Sequence, residues 1–316
     1  MEDQSAHRDC PDGVYRGSHL TGTLLPAAQV KPRKWLTYAL LTTALWGVWG
    51  AFIEVPEKAG FPATLGYAVW ALTTIPCAWF GLHVAGWSLD RDRRSILLGS
   101  GVGFLGATGQ LILFEALRLG PAYLVFPIIS LYPMLTVLLS VVLLRERGNR
   151  RIWAGIALAA PALVLLSYQP PSTSGEAGPR WLVLCLLVFA MWGIQAYLMK
   201  FANQSMRAES IYFYMSATGL VLIPVALAMT SFTAAINWGW SGAWAAAAIQ
   251  VLNSIGALCL VYAMRYGKAI IVTPMTAMAP VLTILISLLL YHVIPGGVLI
   301  TGILLAVISI YLMAEC

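Results

Sequence analysis

The chain has 316 residues, of which 59% are hydrophobic and 10% are charged, and its formal net charge is +6. A soluble domain carries about a quarter of its residues as charged side chains, so this composition excludes an ordinary soluble protein. The positive charge does not indicate a nucleic-acid partner, because the Lys and Arg residues lie in short segments beside apolar runs, where they determine membrane orientation. The composition therefore predicts an integral membrane protein surrounded by the lipid bilayer.

Residues 1–34 differ from the rest of the chain, because they are polar and lack hydrophobic periodicity. They contain no apolar core with a small-residue cleavage site, which a secretory signal peptide requires. Glu2 stands where N-myristoylation requires a glycine. We expect this segment to be a disordered cytoplasmic tail.

Ten apolar runs follow the tail, and each is close to the length of about 20 residues that a helix needs to cross a bilayer. In chain order, the predicted spans 1 to 10 cover residues 36–54, 64–85, 95–117, 122–144, 151–169, 181–201, 209–230, 243–265, 269–291 and 296–314. The runs are apolar on all sides and do not alternate with a period of two, which favours helices over a β-barrel. The predicted fold class is an all-α membrane protein with ten transmembrane helices.

Lys and Arg residues are distributed unequally between the two sides of these spans. Of the 19 in the chain, two lie in the tail, 14 lie at one side of the spans, and only Lys58, Arg118 and Arg180 lie at the other. Because cytoplasmic loops retain the excess of positive charge, both termini are predicted to be cytoplasmic. The Pro-, Ser- and Gly-rich segment 169–179 is predicted to link two halves.

The two halves are related in sequence. A shift of 147 residues superimposes spans 3 and 4 on spans 8 and 9, and a shift of 146 superimposes span 1 on span 6. The matched pairs include rare residue types: Trp46 and Trp192, Gly47 and Gly193, Arg118 and Arg265, Pro133 and Pro280, Thr136 and Thr283. Residues 35–169 are therefore the first predicted repeat and residues 180–316 the second. Since each contains five spans, the second enters the membrane from the opposite side, and such inverted repeats are the usual basis of alternating access.

Several motifs resemble a known family. Residues 115–122 (EALRLGPA), followed by Pro133 and by LLRE at 143–146, resemble the EamA-type repeat of the drug/metabolite transporter superfamily, and residues 262–269 (YAMRYGKA) followed by Pro280 are similar. The resemblance implies a ten-helix bundle with a central cavity lined by spans 1, 3, 4, 6, 8 and 9, and with spans 5 and 10 at the periphery. It does not specify a substrate, because the family carries amino acids, other metabolites and drugs.

Two acidic residues depart from the family pattern. The family often has Lys near the end of the first span of each repeat, as at Lys200, but Glu54 stands at the equivalent position. It often has an aromatic residue where Tyr262 stands, but the first repeat has Glu115 there. Because an ionisable group in a span is costly, Glu54, Glu115 and Lys200 are candidates for coupling or gating. An ion pair of Glu115 with Arg118 on one helix face is the alternative, and an interfacial position is the alternative for Glu54.

Indole and amide side chains near the middle of the spans are candidates for the cavity wall. They are Trp46, Trp49, Gln110, Trp192, Gln195, Gln250 and Asn253. These tryptophans are not at span ends, where interfacial anchors lie, so they either line a pocket or pack against the neighbouring glycines. A buried amide needs a partner helix, water or a ligand. Four prolines of spans 4 and 9 are predicted to interrupt their helices: Pro127, Pro133, Pro274 and Pro280.

The sequence contains no catalytic constellation, since it has no HExxH motif, no intramembrane Asp pair and no CxxC pair among its five cysteines. No metal and no cofactor are predicted. We predict a secondary active transporter in a plasma membrane, the bacterial inner membrane, that moves a small metabolite such as an amino acid by alternating access. Proton coupling, outward direction and a homodimer are left open. The alternative is efflux of drugs or cationic compounds, and an intramembrane enzyme, receptor or channel is more distant.

Overall fold

The computed structural model describes residues 34–120, 122–146, 149–167, 180–279, 282–283, 285–286, 289 and 296–314. In these ranges the regular structure is entirely helical. The predicted tail, the link at 169–179 and much of the second half of span 9, including Pro280, lie outside the described residues.

The helices follow the predicted spans. In the first repeat they are α1 (Lys34–Phe52), α2 (Val55–Lys58), α3 (Ala63–Val84), α4 (Arg93–Leu119), α5 (Ala122–Ile129), α6 (Tyr132–Val142) and α7 (Arg150–Ser167). In the second they are α8 (Arg180–Ala202), α9 (Ala208–Val221), α10 (Ile223–Ala228), a π-helical turn (Trp240–Trp244), α11 (Ala245–Tyr266), α12 (Ala269–Thr276) and α13 (Gly297–Ala314). Six segments within the described residues are long and apolar enough to cross a bilayer: Lys34–Lys58, Ala63–Val84, Arg93–Leu119, Arg180–Ala202, Ala208–Ala228 and Trp240–Tyr266. The prediction of an all-helical membrane protein is confirmed.

The start of α4 has a local cause in the sequence. The Asp92 carboxylate accepts hydrogen bonds from the Ser95 backbone N–H at 3.0 Å and from the Ser95 hydroxyl at 2.6 Å. This is an N-cap, which satisfies one of the free N–H groups of the first helical turn. The same two bonds hold the pKa of Asp92 below its ordinary value, and the resulting negative charge suits the positive end of the helix dipole. The cap therefore fixes where α4 begins, and this helix supplies much of the wall of the candidate site.

Span 4 is interrupted in the middle. Helix α5 ends at Ile129 and α6 begins at Tyr132, directly before Pro133, which cannot donate a backbone hydrogen bond. The predicted interruption is therefore present at Pro133. It is not present at Pro127 or Pro274, because α5 and α12 continue through those residues. A proline inside a short helix removes one backbone bond, and here the helical course persists despite that loss.

Equivalent helices of the two repeats pack in equivalent ways. Helix α1 packs on α11 as α8 packs on α4, and α7 packs on α13. The Thr136 hydroxyl donates to the Gly193 carbonyl at 2.9 Å, and the Thr283 hydroxyl donates to the Gly47 carbonyl at 3.0 Å. The residues that the repeats share therefore make the same contacts twice, with approximate twofold symmetry.

The interior consists of two large apolar clusters. One includes the fully buried Met199, Ile211 and Val261, and the other includes Leu113 and Ile129. In a bilayer, close van der Waals contact between such side chains is the main interaction that holds neighbouring helices together. The two clusters meet in the centre of the bundle, and the candidate site lies at this junction.

Candidate functional site

A cavity, with about 790 Å³ of empty space when its opening to solvent is included, lies between the helices of the two repeats. Its aromatic wall consists of Trp46, Trp49, Trp70, Tyr132, Trp192 and Tyr212, and its polar lining includes the amide side chains of Gln110, Gln195 and Asn253. The mixture of rings and amides suits a solute that is apolar over most of its surface and polar at one end.

Two tryptophans of the wall, Trp46 and Trp192, occupy equivalent positions in the two repeats, and each lies against a glycine. A Cβ atom on Gly256 would lie 2.6 Å from Nε1 of Trp46, and a Cβ atom on Gly109 would lie 2.6 Å from Nε1 of Trp192. Real Cβ atoms do not approach other atoms so closely, so only glycine allows each indole to rest on the facing helix. Nε1 of Trp46 also donates to the Asn253 carbonyl at 3.3 Å. These contacts position both indoles at the cavity.

Gln250 is not part of the cavity wall. Its Oε1 accepts a buried hydrogen bond of 3.1 Å from Nε1 of Trp49. The Trp49 indole in turn makes an edge-on contact with the Phe126 ring, with 5.8 Å between the ring centroids. Gln250 therefore orients the Trp49 indole without lining the cavity. The other six side chains predicted for the cavity do line it.

The three wall amides come from three different helices. Nδ2 of Asn253 on α11 donates to Oε1 of Gln110 on α4 at 3.4 Å. Nε2 of Gln110 is buried and has no hydrogen-bond partner among the described residues. Gln195 on α8 lies against Gly106, where a Cβ atom would overlap Nε2 of the glutamine. Gln110 thus has hydrogen-bonding capacity in the wall that no described residue uses.

Helices α3 and α9 contribute to the wall, although the family resemblance did not include spans 2 and 7. Trp70 and Thr74 come from α3, and Tyr212 and Ser216 come from α9. The hydroxyls of Thr74 and Ser216 lie 2.6 Å apart and join these two helices. Trp70 is farther from the ends of its predicted span than Trp49 is, so the criterion that selected Trp49 would also have selected it. Among the described residues of span 9, none lines the cavity.

The three ionisable candidates lie outside the cavity wall. Glu54, directly before α2, pairs with Lys58 at the end of that helix at 2.6 Å. Glu115 pairs with Arg118 at 2.6 Å, and Arg180 of the second repeat approaches it at 3.8 Å. The described part of the wall contains no Asp, Glu, His, Lys or Arg. A solute in this cavity therefore meets dipoles and rings but no fixed charge.

Lys200 has a structural partner of a different kind. Its ammonium group donates to the carbonyls of Met264 and Gly267, at the C-terminal end of α11. The last carbonyls of a helix lack intrahelical partners, and a cation is favourable there. Lys200 thus caps α11 in this conformation.

Both halves of the chain match the EamA-like transporter family, over residues 33–168 and 179–314. The chain belongs to the EamA-like transporter family. Protein RarD of Streptomyces exfoliatus is 24% identical to this EamA-like protein over 282 residues, which cover 84% of this chain and 83% of RarD. A protein of known crystal structure with 19% identity has the same fold, with a TM-score of 0.65 over 88% of this chain and 97% of that one. The family resemblance is confirmed, and this EamA-like chain is a multi-pass membrane transporter with two repeats and not an enzyme.

Proposed function

We propose that this protein is a secondary active carrier that moves a small amphipathic metabolite without net charge, of the kind that includes amino acids, by alternating access. The observation that carries the proposal is the central cavity, which lies between two symmetry-related repeats and combines aromatic rings with amides. Substrate sites of carriers built from such repeats lie at the repeat interface near the bilayer midplane. The absence of charged side chains from the described wall favours a solute whose charges cancel or are absent.

The repeated contacts support the proposed switching mechanism. Thr136 and Thr283 make the same hydrogen bond in opposite halves, so an exchange of conformations between the halves preserves the type of contact. The interruption between α5 and α6 supplies a point at which a helix bends without breaking further backbone bonds. We propose that this exchange opens the cavity alternately to the two sides of the membrane.

The proposed arrangement has ten spans, inverted repeats and both termini in the cytoplasm of a bacterial cell, with the protein in the inner membrane. The unequal distribution of Lys and Arg supports it. Ser174→Cys in a cysteine-free background should react with an impermeant maleimide added outside intact cells. Reaction only after the cytoplasmic side is exposed would contradict the orientation.

Flux into proteoliposomes tests the carrier function. A panel of amino acids, nucleobases, sugars and cationic drugs should contain a solute whose uptake is saturable. Trp192→Ala, which removes an indole from the cavity wall, should lower that uptake strongly. Trp153→Ala is the matched control, because this indole is 44% exposed on α7 and lies outside the cavity. Equal losses in both variants, or no saturable uptake of any solute, would contradict the proposal.

Proton coupling and outward transport stay predictions. The ion pairs of Glu54 and Glu115 away from the wall favour a structural role for both carboxylates. Coupling through them requires that an imposed pH gradient drives uptake and that Glu54→Gln or Glu115→Gln abolishes this response. If both variants respond to the gradient as the unmodified protein does, neither residue is the coupling group.

Efflux of cationic compounds is the second candidate function. The aromatic wall favours it, because indole faces attract quaternary ammonium groups. The described wall offers no carboxylate to such a cation. Saturable uptake of a quaternary ammonium compound, with no uptake of neutral or zwitterionic solutes, would decide for this candidate.

A further inference from the structure

The amides of the cavity wall break the symmetry of the two repeats. Gln110, Gln195 and Asn253 line the cavity from three helices. Asn253 bonds to Gln110 at 3.4 Å, and Gln195 lies against Gly106, one helical turn before Gln110. At the equivalent positions of the other repeat stand Ala257, Trp49 and Gly106. The aromatic and glycine residues that the repeats share build the frame of the cavity, whereas the amides occur only once. A group that occurs once in a duplicated frame gives the cavity one polar end.

One of these amides retains unused hydrogen-bonding capacity. Gln110 is only 4% exposed, and while its Oε1 receives the bond from Asn253, its Nε2 has no partner among the described residues. Gln195 is partly buried and also lies in the wall. The buried Nε2 of Gln110 costs free energy while it has no partner. A ligand that supplies an acceptor to this group recovers that cost.

The surroundings restrict the charge of such a ligand. No Asp, Glu, His, Lys or Arg lines the described part of the cavity, so an ammonium or carboxylate group would enter without a counter-ion. Desolvation of an unpaired charge is far more costly than desolvation of an amide. The rings of Trp46 and Trp192, in contrast, offer flat apolar surfaces beside the amides.

We propose, as a refinement that rests on the carrier function proposed above, that Gln110, Gln195 and Asn253 form a subsite for an uncharged group with an adjacent donor and acceptor. A carboxamide, a lactam or the edge of a nucleobase is such a group, and its solute carries a flat apolar body that packs on the indoles. Asn and Gln recognise groups of this kind through two parallel hydrogen bonds. Gly106 is a specificity determinant of the same subsite, because any side chain there would displace the Gln195 amide.

Four indole derivatives of similar size test the subsite on the purified protein: indole-3-acetamide, indole-3-acetate, tryptamine and 3-ethylindole. They differ in carrying an uncharged amide, an anion, a cation or no polar group. Calorimetric titration should give a dissociation constant for the amide that is lower by about tenfold or more than that of the other three, as expected for hydrogen bonds whose loss leaves a buried amide unpaired. In Gln195→Met this preference should fall by about tenfold, with the affinity for 3-ethylindole unchanged.

Gln204→Met is the matched control, because it makes the same change at an exposed glutamine outside the cavity. It should retain the preference for the amide. If the unmodified protein binds the anion or the cation as tightly as the amide, or more tightly, the proposed subsite is wrong. This comparison does not depend on whether a variant folds. Retention of the preference in Gln195→Met overturns it as well. In either case saturable flux of another solute leaves the carrier function standing, whereas the absence of flux for every solute removes both proposals.

Discussion

Gly109 and Gly256 are equivalent residues that each lie under an indole of the cavity wall. In Gly109→Ala the new Cβ atom would lie 2.6 Å from Nε1 and 2.8 Å from Cδ1 of Trp192. An ordinary contact begins at 3.4 Å, so the indole has to move by at least the difference of 0.8 Å between 3.4 and 2.6 Å. The indole also contacts the Tyr132 ring edge-on, with 6.4 Å between the centroids, so its movement changes the shape of the cavity wall.

The size of the effect on stability follows from a comparison with a second glycine. In Gly66→Ala the nearest atom, Cε1 of Phe114, would lie 3.5 Å from the new Cβ atom, which is an ordinary contact. Both substitutions gain about 0.5–1 kcal/mol of helix propensity, and this gain cancels in their difference. What remains is the cost of inserting an atom into a filled site, about 1–3 kcal/mol. Gly109→Ala should therefore be less stable than Gly66→Ala by that amount.

Two measurements check this reasoning. The unfolding midpoint of the purified variants should be lower for Gly109→Ala than for Gly66→Ala. Solute flux in proteoliposomes should fall in Gly109→Ala and in Gly256→Ala, because both displace a wall indole, and should persist in Gly66→Ala. The same midpoint and the same flux in Gly109→Ala and Gly66→Ala would refute the argument that glycine positions the indoles.

Three further substitutions have defined expectations in unfolding experiments. Glu115→Gln should change the free energy of unfolding by less than about 1 kcal/mol, because Arg118 is 54% exposed and such pairs contribute little. Thr136→Val should lower it by about 1 kcal/mol, because the buried Gly193 carbonyl loses its side-chain donor. Lys200→Met should lower it by about 1–3 kcal/mol, because the end of α11 loses a charged partner for two carbonyls.

Matched variants separate these effects from unspecific ones. Thr301→Val is the control for Thr136→Val, because the exposed Thr301 hydroxyl bonds only to the carbonyl of Gly297 in its own helix. Equal destabilisation by the two would argue against the contact between repeats. Lys268→Met is the control for Lys200→Met, because Lys268 is exposed at the start of α12, and a loss in both variants would indicate a general effect of charge. A loss of several kcal/mol in Glu115→Gln would show that its ion pair is not a weak surface pair.

The fold was largely predictable from the sequence because two independent signals agree. The membrane requires long apolar helices, and the duplication repeats their special residues, as at Trp46 and Trp192. The break in span 4 was harder to locate. Pro127 and Pro133 both lack a backbone donor, but only Pro133 stands at an interruption. Whether a proline interrupts a helix depends on the tertiary contacts of the residues around it. The sequence does not show these contacts.

The candidate site was predictable in its residue types but not in all its members. Gln250 and Asn253 are three residues apart on one apolar helix, so both qualified as buried amides that need a partner. The structure directs Asn253 to the cavity and Gln250 to the indole N–H of Trp49. Trp70 was missed although its position inside span 2 meets the criterion applied to the other tryptophans. Hydropathy carries no information on crossing angles, so the sequence does not show that α3 reaches the cavity.

The hydrogen bonds that occur twice in this molecule have a thermodynamic consequence. If the halves exchange conformations during transport, the two orientations of the carrier contain equivalent sets of contacts, and their occupancies depend on small differences between the copies. Gly47 lies against Leu282 as Gly193 lies against Leu135, with 2.6 Å and 2.9 Å to a Cβ atom added at the glycine. Both close contacts are present in the same conformation, and an exchange of the halves reproduces both, so alanine at either glycine disfavours the two orientations alike. Each single substitution should then lower the stability of the protein without a large shift in the occupancies of the two orientations.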